Sequence, residues 1–356
     1  MIPQGDAKRY PPRGCEAQSP KGMRSALEPG PSLGAPFLAP VMPPDPNHTA
    51  FLFPGQGSQK VGMGKDLAAA DTSARAVFAE ADEILGFPLS KLCWEGPAEE
   101  LNDTAVTQPA LLTHSVAVLR AMAARRPGLT PAVVAGHSLG EFSALVSAAA
   151  LDFAPALRLV QQRGLLMKEA GQRSPGGMAA VLGLEVERID EICRAVEADV
   201  HGVVQVANDN CPGQVVISGD EAALATAMER LMAAGAKRTI RLAVSIAAHS
   251  ALMGPASATF GQRVEEAGVR DPALPVVGNV TAERLHTAAG LRDDVKRQLT
   301  SRVRWTESVR RMIADGTQIF AEIGTGEVLI GLIRRIDRGP MLTALDLPET
   351  LDAFLA

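Results

Sequence analysis

Apolar and polar positions along the chain predict strands that alternate with helices. Two short apolar runs, residues 50–53 and 132–136, each stop at a glycine-rich loop, which is typical of buried strands. Residues 73–85, 108–125 and 154–170 instead carry apolar residues at helical spacing. This alternation predicts a parallel sheet with helices on both faces, because parallel strands need helical crossovers.

The pattern changes at residues 174–177, where Ser-Pro-Gly-Gly interrupts the helical spacing. The next segment predicts strand, helix, strand, strand, helix and strand, at residues 178–184, 187–198, 203–207, 214–218, 221–234 and 238–244. That order is the split β-α-β-β-α-β pattern of a ferredoxin-like domain. We therefore predict an α/β fold in which residues 174–244 form a small ferredoxin-like domain. It is inserted into an α/β-hydrolase-like large domain with a parallel sheet, formed by residues 49–173 and 245–356.

The first 48 residues differ from the rest in composition. They hold 11 of the 25 prolines and show neither helical nor alternating spacing. Proline removes backbone donors and excludes regular ladders, so we expect a disordered leader, and it lacks the apolar core of a signal peptide. Three interpretations of this segment remain open: a regulatory tail, a linker, or a protein that truly starts at Met23 or Met42.

Charge and cysteine content exclude several classes of protein. The net charge is -5 with acids and bases mixed, which argues against a basic surface for nucleic acid. No apolar run is long enough to span a bilayer. The four cysteines, Cys15, Cys93, Cys193 and Cys211, are far apart and form no CxxC pair. We therefore expect no metal site, no disulfide framework and a cytoplasmic location.

A candidate nucleophile lies directly after the second apolar run. Residues 136–140 read Gly-His-Ser-Leu-Gly, which fits the G-x-S-x-G turn that presents a serine between a strand and a helix. The start of the following helix would direct N–H groups toward developing negative charge. The alternative is an ordinary turn in which Ser138 only caps the helix.

A serine hydroxyl needs a base, and the chain holds six histidines: His48, His114, His137, His201, His249 and His286. His137 adjoins Ser138, so we expect the two side chains to diverge. His249 follows a strand-like run at residues 242–246, where the chain returns to the large domain. It also comes after the serine in the chain, as the base of an α/β hydrolase does. His249 is therefore the best candidate, and a structural histidine is the alternative.

Taken together, the motifs resemble the malonyl-CoA:acyl carrier protein transacylase family over about residues 49–350. The matching segments, in chain order, are residues 53–59, 107–110, 136–141, 162–164, 212–219, 249–250 and 322–324. The resemblance implies that Ser138 carries the acyl group as an ester and that His249 is its base. It also implies that the backbone carbonyl of Gln298 orients the histidine, and that Gln56 and the Leu139 N–H form the oxyanion hole.

The resemblance further implies that Arg163 binds the malonyl carboxylate. A guanidinium presents a planar fork of donors that matches a carboxylate. Without the resemblance, Arg163 would be interpreted as a solvated arginine on a helix. The expected reaction is ping-pong transfer of malonyl from malonyl-CoA to the phosphopantetheine thiol of an acyl carrier protein, with no metal or other cofactor.

Some features leave alternatives open. Ile246, Ala247 and Ala248 precede His249, and the two alanines could admit methylmalonyl or another extender. The pathway could be fatty acid synthesis, polyketide assembly in trans or malonate decarboxylation. Six basic residues between Lys296 and Arg311 predict a docking face for the carrier protein, with a solvated helix face as the alternative. We expect a monomer.

Two other classes of protein compete with this interpretation. An α/β-hydrolase esterase shares the serine turn, but the HGGG-type oxyanion loop of such enzymes is absent. A catalytically idle subunit that only binds a carrier protein is a second rival. It would have no need to retain Ser138, His249, Gln56 and Arg163 together.

Overall fold

The computed structural model describes residues 45–356, so the predicted leader lies, up to residue 44, outside the described residues. The strands are β1 Thr49–Phe53, β2 Val133–Gly136, β3 Gly176–Leu182, β4 Val204–Cys211, β5 Gln214–Asp220, β6 Arg238–Arg241, β7 Val276–Val277, β8 Arg284–Leu285, β9 Ile319–Ile323 and β10 Met341–Leu345.

Fourteen α-helices lie within the same residues. They are α1 Lys65–Ala70, α2 Thr72–Leu85, α3 Leu89–Glu95, α4 Ala98–Leu101, α5 Thr104–Arg125, α6 Gly140–Ser147, α7 Phe153–Arg173, α8 Val186–Val200, α9 Glu221–Ala233, α10 Gly254–Glu266, α11 Ala288–Gln298, α12 Trp305–Ala314, α13 Val328–Ile336 and α14 Pro348–Leu355. None of these described helices is both long and apolar enough to cross a bilayer.

The larger sheet has six strands in the order β10-β9-β1-β2-β7-β8. All neighbouring pairs are parallel except β7 and β8. Strand β1 lies at the centre, and alternate residues enter two separate cores. Phe51 and Phe53 pack with α2, α5, α6 and α7, whereas Ala50 and Leu52 pack with α12 and α13. Burial on both faces explains why β1 is apolar at nearly every position.

The smaller sheet has four antiparallel strands in the order β4-β5-β3-β6. Helices α8 and α9 supply its own apolar core, which includes Ile189, Val196, Ile217 and Leu224. The predicted fold class, with one parallel sheet and one small antiparallel sheet, is confirmed. All four strands lie within the predicted limits of 174 and 244, and those limits as domain boundaries stay a prediction.

Edge strand β4 is bonded to a segment that follows α11. Asp209 N–H donates to the Val303 carbonyl (2.9 Å), and Val303 N–H donates to the Ala207 carbonyl (2.8 Å). The Thr306 hydroxyl donates to Asp209 Oδ1 at 2.7 Å. These bonds fix one edge of the small sheet against the chain that leads into α12.

Two predicted elements are wrong in their limits. The strand predicted for residues 238–244 ends at Arg241, and residues 242–246 form no strand. Strand β3 begins at Gly176 and pairs Ala179 with Arg241, and the Leu242 N–H still donates to the Met178 carbonyl (2.9 Å), but regular strand pairing ends there. Helix α5 begins at Thr104 instead of residue 108, because the Asp103 side chain accepts the Ala105 N–H and caps an earlier turn.

Candidate active site

The nucleophile turn connects β2 to α6 at the carboxyl edge of the large sheet. Ser138 has φ 51°, in the left-handed region that non-glycine residues rarely adopt. A Cβ at Gly136 would lie 1.9 Å from the Gly140 carbonyl carbon, so this position requires glycine. The turn therefore holds Ser138 in a strained conformation at the start of a helix, as a nucleophile elbow does.

Asn279, which the sequence analysis missed, clamps this turn. Its Oδ1 accepts the Ser138 N–H at 2.7 Å, and its Nδ2 donates to the Gly136 carbonyl at 2.7 Å. Asn279 is buried and follows β7, which lies next to β2 in the sheet. Polar residues directly after parallel strands meet at one edge of the sheet. The position of Asn279 directly after an apolar run was therefore the signal in the sequence that could have identified it.

His249 lies beside the serine. The distance from Ser138 Oγ to His249 Nε2 is 2.8 Å. The other ring nitrogen, Nδ1, faces the carbonyl oxygens of Gln298 (2.8 Å) and Ser301 (3.2 Å). Carbonyls only accept, so Nδ1 carries the proton and Nε2 is free to accept the serine proton. Burial, followed by the positive charge of Arg163, lowers the pKa of His249 to about 3.

Arg163 approaches the serine from α7 and is 1% exposed. Its Nη1 donates to Gln108 Oε1 (2.9 Å), and its Nη2 donates to Gln298 Oε1 (2.8 Å) and Ser138 Oγ (3.2 Å). Within residues 45–356 it forms no salt bridge, so its direct partners are neutral. Burial lowers the pKa of Arg163 to about 10, which leaves it a cation at neutral pH. A buried cation without a direct counter-ion is a natural site for an anion.

The side chain of Gln298 links the serine turn to the arginine. Its Nε2 donates to the Ser138 carbonyl at 2.9 Å and to a carboxylate oxygen of Glu141. Its Oε1 accepts from Arg163 at 2.8 Å. The family resemblance implied a role for the backbone carbonyl of Gln298, and in the structure its buried amide contacts the same site.

The loop after β1 packs directly on the nucleophile turn. A Cβ at Gly55 would lie 2.3 Å from the His137 carbonyl oxygen, so glycine permits this contact. Among the described residues, neither the Gln56 nor the Leu139 N–H donates a hydrogen bond. Both are therefore available to a substrate oxygen, and Leu139 lies at the positive end of α6. The Gln56 side chain is exposed and donates to Thr104 Oγ1 (3.1 Å).

His137 points away from the serine. Its Nε2 lies 2.8 Å from Asn210 Oδ1 on β4, and its ring packs edge-on against Trp305. It therefore connects the nucleophile turn to the small sheet. Ala247 and Ala248, which precede His249, are both buried.

The predicted basic face is largely neutralised by neighbouring acids. The ion pairs are Lys296 with Glu265, Arg297 with Asp293, and both Arg302 and Arg304 with Glu307. Arg310 and Arg311 on α12 are exposed, and in the described part of the chain neither forms an ion pair. Because Arg302 and Arg304 share one carboxylate and Arg310 and Arg311 form no ion pair, the positive charge that remains on the predicted face lies on and beside α12.

Comparison with known proteins gives consistent matches. Residues 50–336 match the acyl transferase domain family. The chain is 45% identical to the malonyl CoA-acyl carrier protein transacylase of Bacillus subtilis, over 85% of this chain and 95% of that protein. It is 46% identical to the transacylase of the same name from Escherichia coli, over 86% of this chain and 98% of that protein.

Solved structures agree with the sequence matches. A malonyl-transacylase in complex with a type II PKS acyl-carrier protein has a TM-score of 0.83 and 44% identity, over 86% of this chain and 99% of that chain. The malonyl CoA-acyl carrier protein transacylase of Coxiella burnetii has a TM-score of 0.84 and 38% identity, over 87% of this chain and 97% of that chain. The chain therefore belongs to the malonyl-CoA:acyl carrier protein transacylase family of acyl transferases.

Proposed function

We propose that the protein transfers a malonyl group from malonyl-CoA to the phosphopantetheine thiol of an acyl carrier protein, through an ester on Ser138. One observation carries the proposal. The guanidinium of Arg163 is buried without a direct counter-ion and lies 3.2 Å from the oxygen of a serine already paired with a histidine. A nucleophile beside a buried cation suits an acyl group that carries its own carboxylate.

The first half-reaction is acylation of the enzyme. As His249 Nε2 takes the hydroxyl proton, Ser138 Oγ attacks the thioester carbon of malonyl-CoA. The carbonyl oxygen becomes an oxyanion, and the N–H groups of Gln56 and Leu139 would donate to it. The tetrahedral intermediate collapses, the C–S bond breaks, and His249 returns the proton to the leaving CoA thiolate. The products are the malonyl ester and free CoA.

The second half-reaction reverses these roles. The carrier thiol gives its proton to His249, and its sulfur attacks the ester carbon. The C–O bond to Ser138 then breaks, and His249 protonates the serine oxygen. Every proton returns to its starting place, so the chain's own residues and the two substrates account for both steps.

Arg163 would bind the malonyl carboxylate through its planar donor fork. Binding the carboxylate would also change the base, because the positive charge of Arg163 is the second cause of the low pKa of His249. A bound carboxylate offsets that charge and raises the pKa of His249 toward its ordinary value. A carboxylated substrate therefore strengthens the base that acts on it, whereas an acetyl group does not.

Ala247 and Ala248 bear on the choice of acyl group. Both are small and adjacent to His249, so methylmalonyl is the competing substrate that this position would most readily admit. The monomeric state and the cytoplasmic location stay predictions beside this function.

We place the docking face for the acyl carrier protein at Arg310 and Arg311. Both side chains are exposed cations on α12, the helix that begins at Trp305 beside His137. We expect the double change Arg310→Glu and Arg311→Glu to slow transfer to the carrier several-fold at low salt, with Ser138 acylation unchanged. Lys91→Glu, at an exposed lysine on α3, is the matched control. Equal carrier kinetics in both variants would exclude this face.

Intact-protein mass spectrometry tests the function itself. The protein is mixed briefly with malonyl-CoA, methylmalonyl-CoA and acetyl-CoA in competition, beside the Ser138→Ala variant. We expect a malonyl adduct on the unchanged protein and no adduct on the variant. A methylmalonyl adduct would keep the mechanism and change the substrate. No adduct from any of the three thioesters would overturn the proposal.

A further inference from the structure

Two buried carboxyl groups lie behind the active site and have no part in the steps above. Glu141 is the second residue of α6, directly after the nucleophile turn, and is 0% exposed. Asp294 lies on α11, four residues before Gln298, and is 1% exposed. Residues four apart share one face of a helix, so Asp294 and Gln298 point to the same side. Buried carboxyl groups are costly unless they are paired, so both need an explanation.

Glu141 and the Ser138 carbonyl together determine which way the Gln298 amide points. An amide oxygen and an amide nitrogen have nearly the same shape, so only the hydrogen-bond partners select the orientation. Glu141 Oε2 accepts from Gln298 Nε2, as the Ser138 carbonyl does. The Gln298 oxygen must therefore lie on the opposite side, where it accepts from Arg163 at 2.8 Å. With the amide reversed, an NH₂ group would face the guanidinium, and two donors would oppose each other.

The hydrogen bonds also show where a proton resides on this pair. Asp294 accepts from the Val280 N–H (3.1 Å), the Thr281 N–H (3.2 Å) and the Thr281 hydroxyl (3.2 Å). Three donors already point at Asp294, so its carboxyl group is the hydrogen-bond acceptor of the pair. Glu141 Oε1 is buried without a hydrogen-bond partner in residues 45–356, and both the Asn279 N–H and Asp294 lie near this carboxyl group. A proton on Glu141 Oε1 would bond to Asp294 and satisfy both groups.

Two physical effects support a neutral Glu141. Burial raises the pKa of Glu141 well above its ordinary value, and the negative charge of Asp294 raises it further. Two adjacent buried carboxyl groups cannot both ionise readily, so one proton is shared between them.

We infer that Glu141 is a positioning residue for substrate selection. It shares one proton with Asp294 and holds the Gln298 amide so that its oxygen faces Arg163. This inference rests on the proposed function, because the arginine it supports is the one assigned to the malonyl carboxylate. Glu141 acts through Gln298 and touches neither substrate.

Two substitutions separate this role from general support of the fold. In Glu141→Gln, the amide oxygen can accept from Gln298 and the amide nitrogen can donate to Asp294, so both bonds survive. In Glu141→Leu, neither bond survives. We measure the rates of Ser138 acylation from malonyl-CoA and from acetyl-CoA, and we compare their ratio. We expect the malonyl preference to fall about tenfold in Glu141→Leu and to be largely kept in Glu141→Gln.

Glu322→Leu is the matched control. Glu322 is also a fully buried glutamate, but it accepts the N–H groups of Leu329 and Ile330 at the start of α13. Its loss should lower stability without changing the malonyl-to-acetyl ratio. If Glu141→Leu and Glu322→Leu change the ratio equally, the positioning role is overturned. Loss of the malonyl preference in Glu141→Gln would overturn the inference that Glu141 and Asp294 share one proton.

An infrared difference spectrum gives a readout that does not depend on activity. The unchanged protein at neutral pH should show the carbonyl stretch of a protonated carboxylic acid that Glu141→Gln lacks. Absence of that band would overturn the inference even if Glu141→Leu does not fold. If instead the unchanged protein forms no malonyl adduct, the proposed function fails, while the infrared result still decides the protonation state.

Discussion

The surroundings of Ser138 and of Arg163 are held in different ways. Ser138 and His249 are oriented largely through the backbone, by the strained turn, by the Gln298 and Ser301 carbonyls and by the Asn279 clamp. The guanidinium of Arg163 is held by side chains alone. They are the Ser138 hydroxyl, the amides of Gln108 and Gln298, the Met167 sulfur and the Phe142 ring.

This difference separates the groups that carry out acyl transfer from the groups that select the acyl group. Backbone groups change little when a side chain is replaced, so the reacting pair proposed here, Ser138 and His249, is set mainly by the fold, with Asn279 as a side-chain clamp. Side-chain partners can be exchanged singly, so the acyl group that is accepted can change while the reaction stays the same. A buried cation costs several kcal/mol unless it is paired, which fits a site whose counter-ion arrives with the substrate.

The largest selective effect should come from Arg163→Ala. Malonyl transfer should fall by about 2–5 kcal/mol of transition-state stabilisation, or roughly 30-fold to several thousand-fold, because the carboxylate loses its charged partner. Transfer of an acetyl group should survive or improve. Acylation rates with malonyl-CoA and acetyl-CoA provide the measurement. An equal loss for both substrates would contradict the assignment of Arg163 to the carboxylate.

Asn279→Leu should lower malonyl and acetyl acylation alike, in contrast to the selective loss expected for Arg163→Ala. Loss of the clamp releases the Ser138 N–H and the Gly136 carbonyl, and a small displacement of the nucleophile lowers rates by about 100-fold. Because the clamp belongs to the reacting pair, acetyl and malonyl acylation should fall together. Asn47→Leu, at an exposed asparagine outside the site, is the control. A selective loss of malonyl transfer in Asn279→Leu would erase the contrast between the two regions.

A smaller effect should appear in the pH profile of kcat/KM for acetyl-CoA, whose acyl group carries no charge. The base acts only when neutral, and a free-enzyme pKa of about 3 keeps His249 neutral far below its ordinary range. The profile should therefore stay level from about pH 8 to about pH 5. In Arg163→Ala the second cause of the low pKa is gone, so the fall on the acid side should move to higher pH. A fall centred near the ordinary histidine pKa in the unchanged protein would contradict this account.

Local sequence patterns identify Ser138 more readily than His249, because only the serine belongs to a short motif that specifies a turn. The glycine turn around Ser138 and the short buried runs of β1 and β2 are such signals. The supporting contacts join residues that are distant in the chain. Asn279 lies 141 residues from Ser138, and Gln298 lies 157 residues from Glu141. No periodicity links such positions, because the fold alone brings them together.

The strand predicted for residues 242–246 was wrong because strand formation, too, depends on contacts with residues that are distant in the chain. Its alternation satisfies the local rule for a strand, but a strand also needs a neighbour with free backbone groups. The last bond to β3 joins the Leu242 N–H to the Met178 carbonyl (2.9 Å), and residues 243–246 continue toward His249 without strand pairing. Local pattern specifies the tendency to form an element, and tertiary contacts decide its length.

The most direct test of the proposed transfer is a chase of the isolated acyl-enzyme. Protein acylated with malonyl-CoA is freed of CoA and mixed with holo acyl carrier protein, with apo carrier protein, or with buffer alone. We predict that the Ser138 adduct disappears only with the holo carrier and that the malonyl group appears on its phosphopantetheine thiol. Loss of the adduct as free malonate at the same rate in all three mixtures would show a hydrolase and contradict the account.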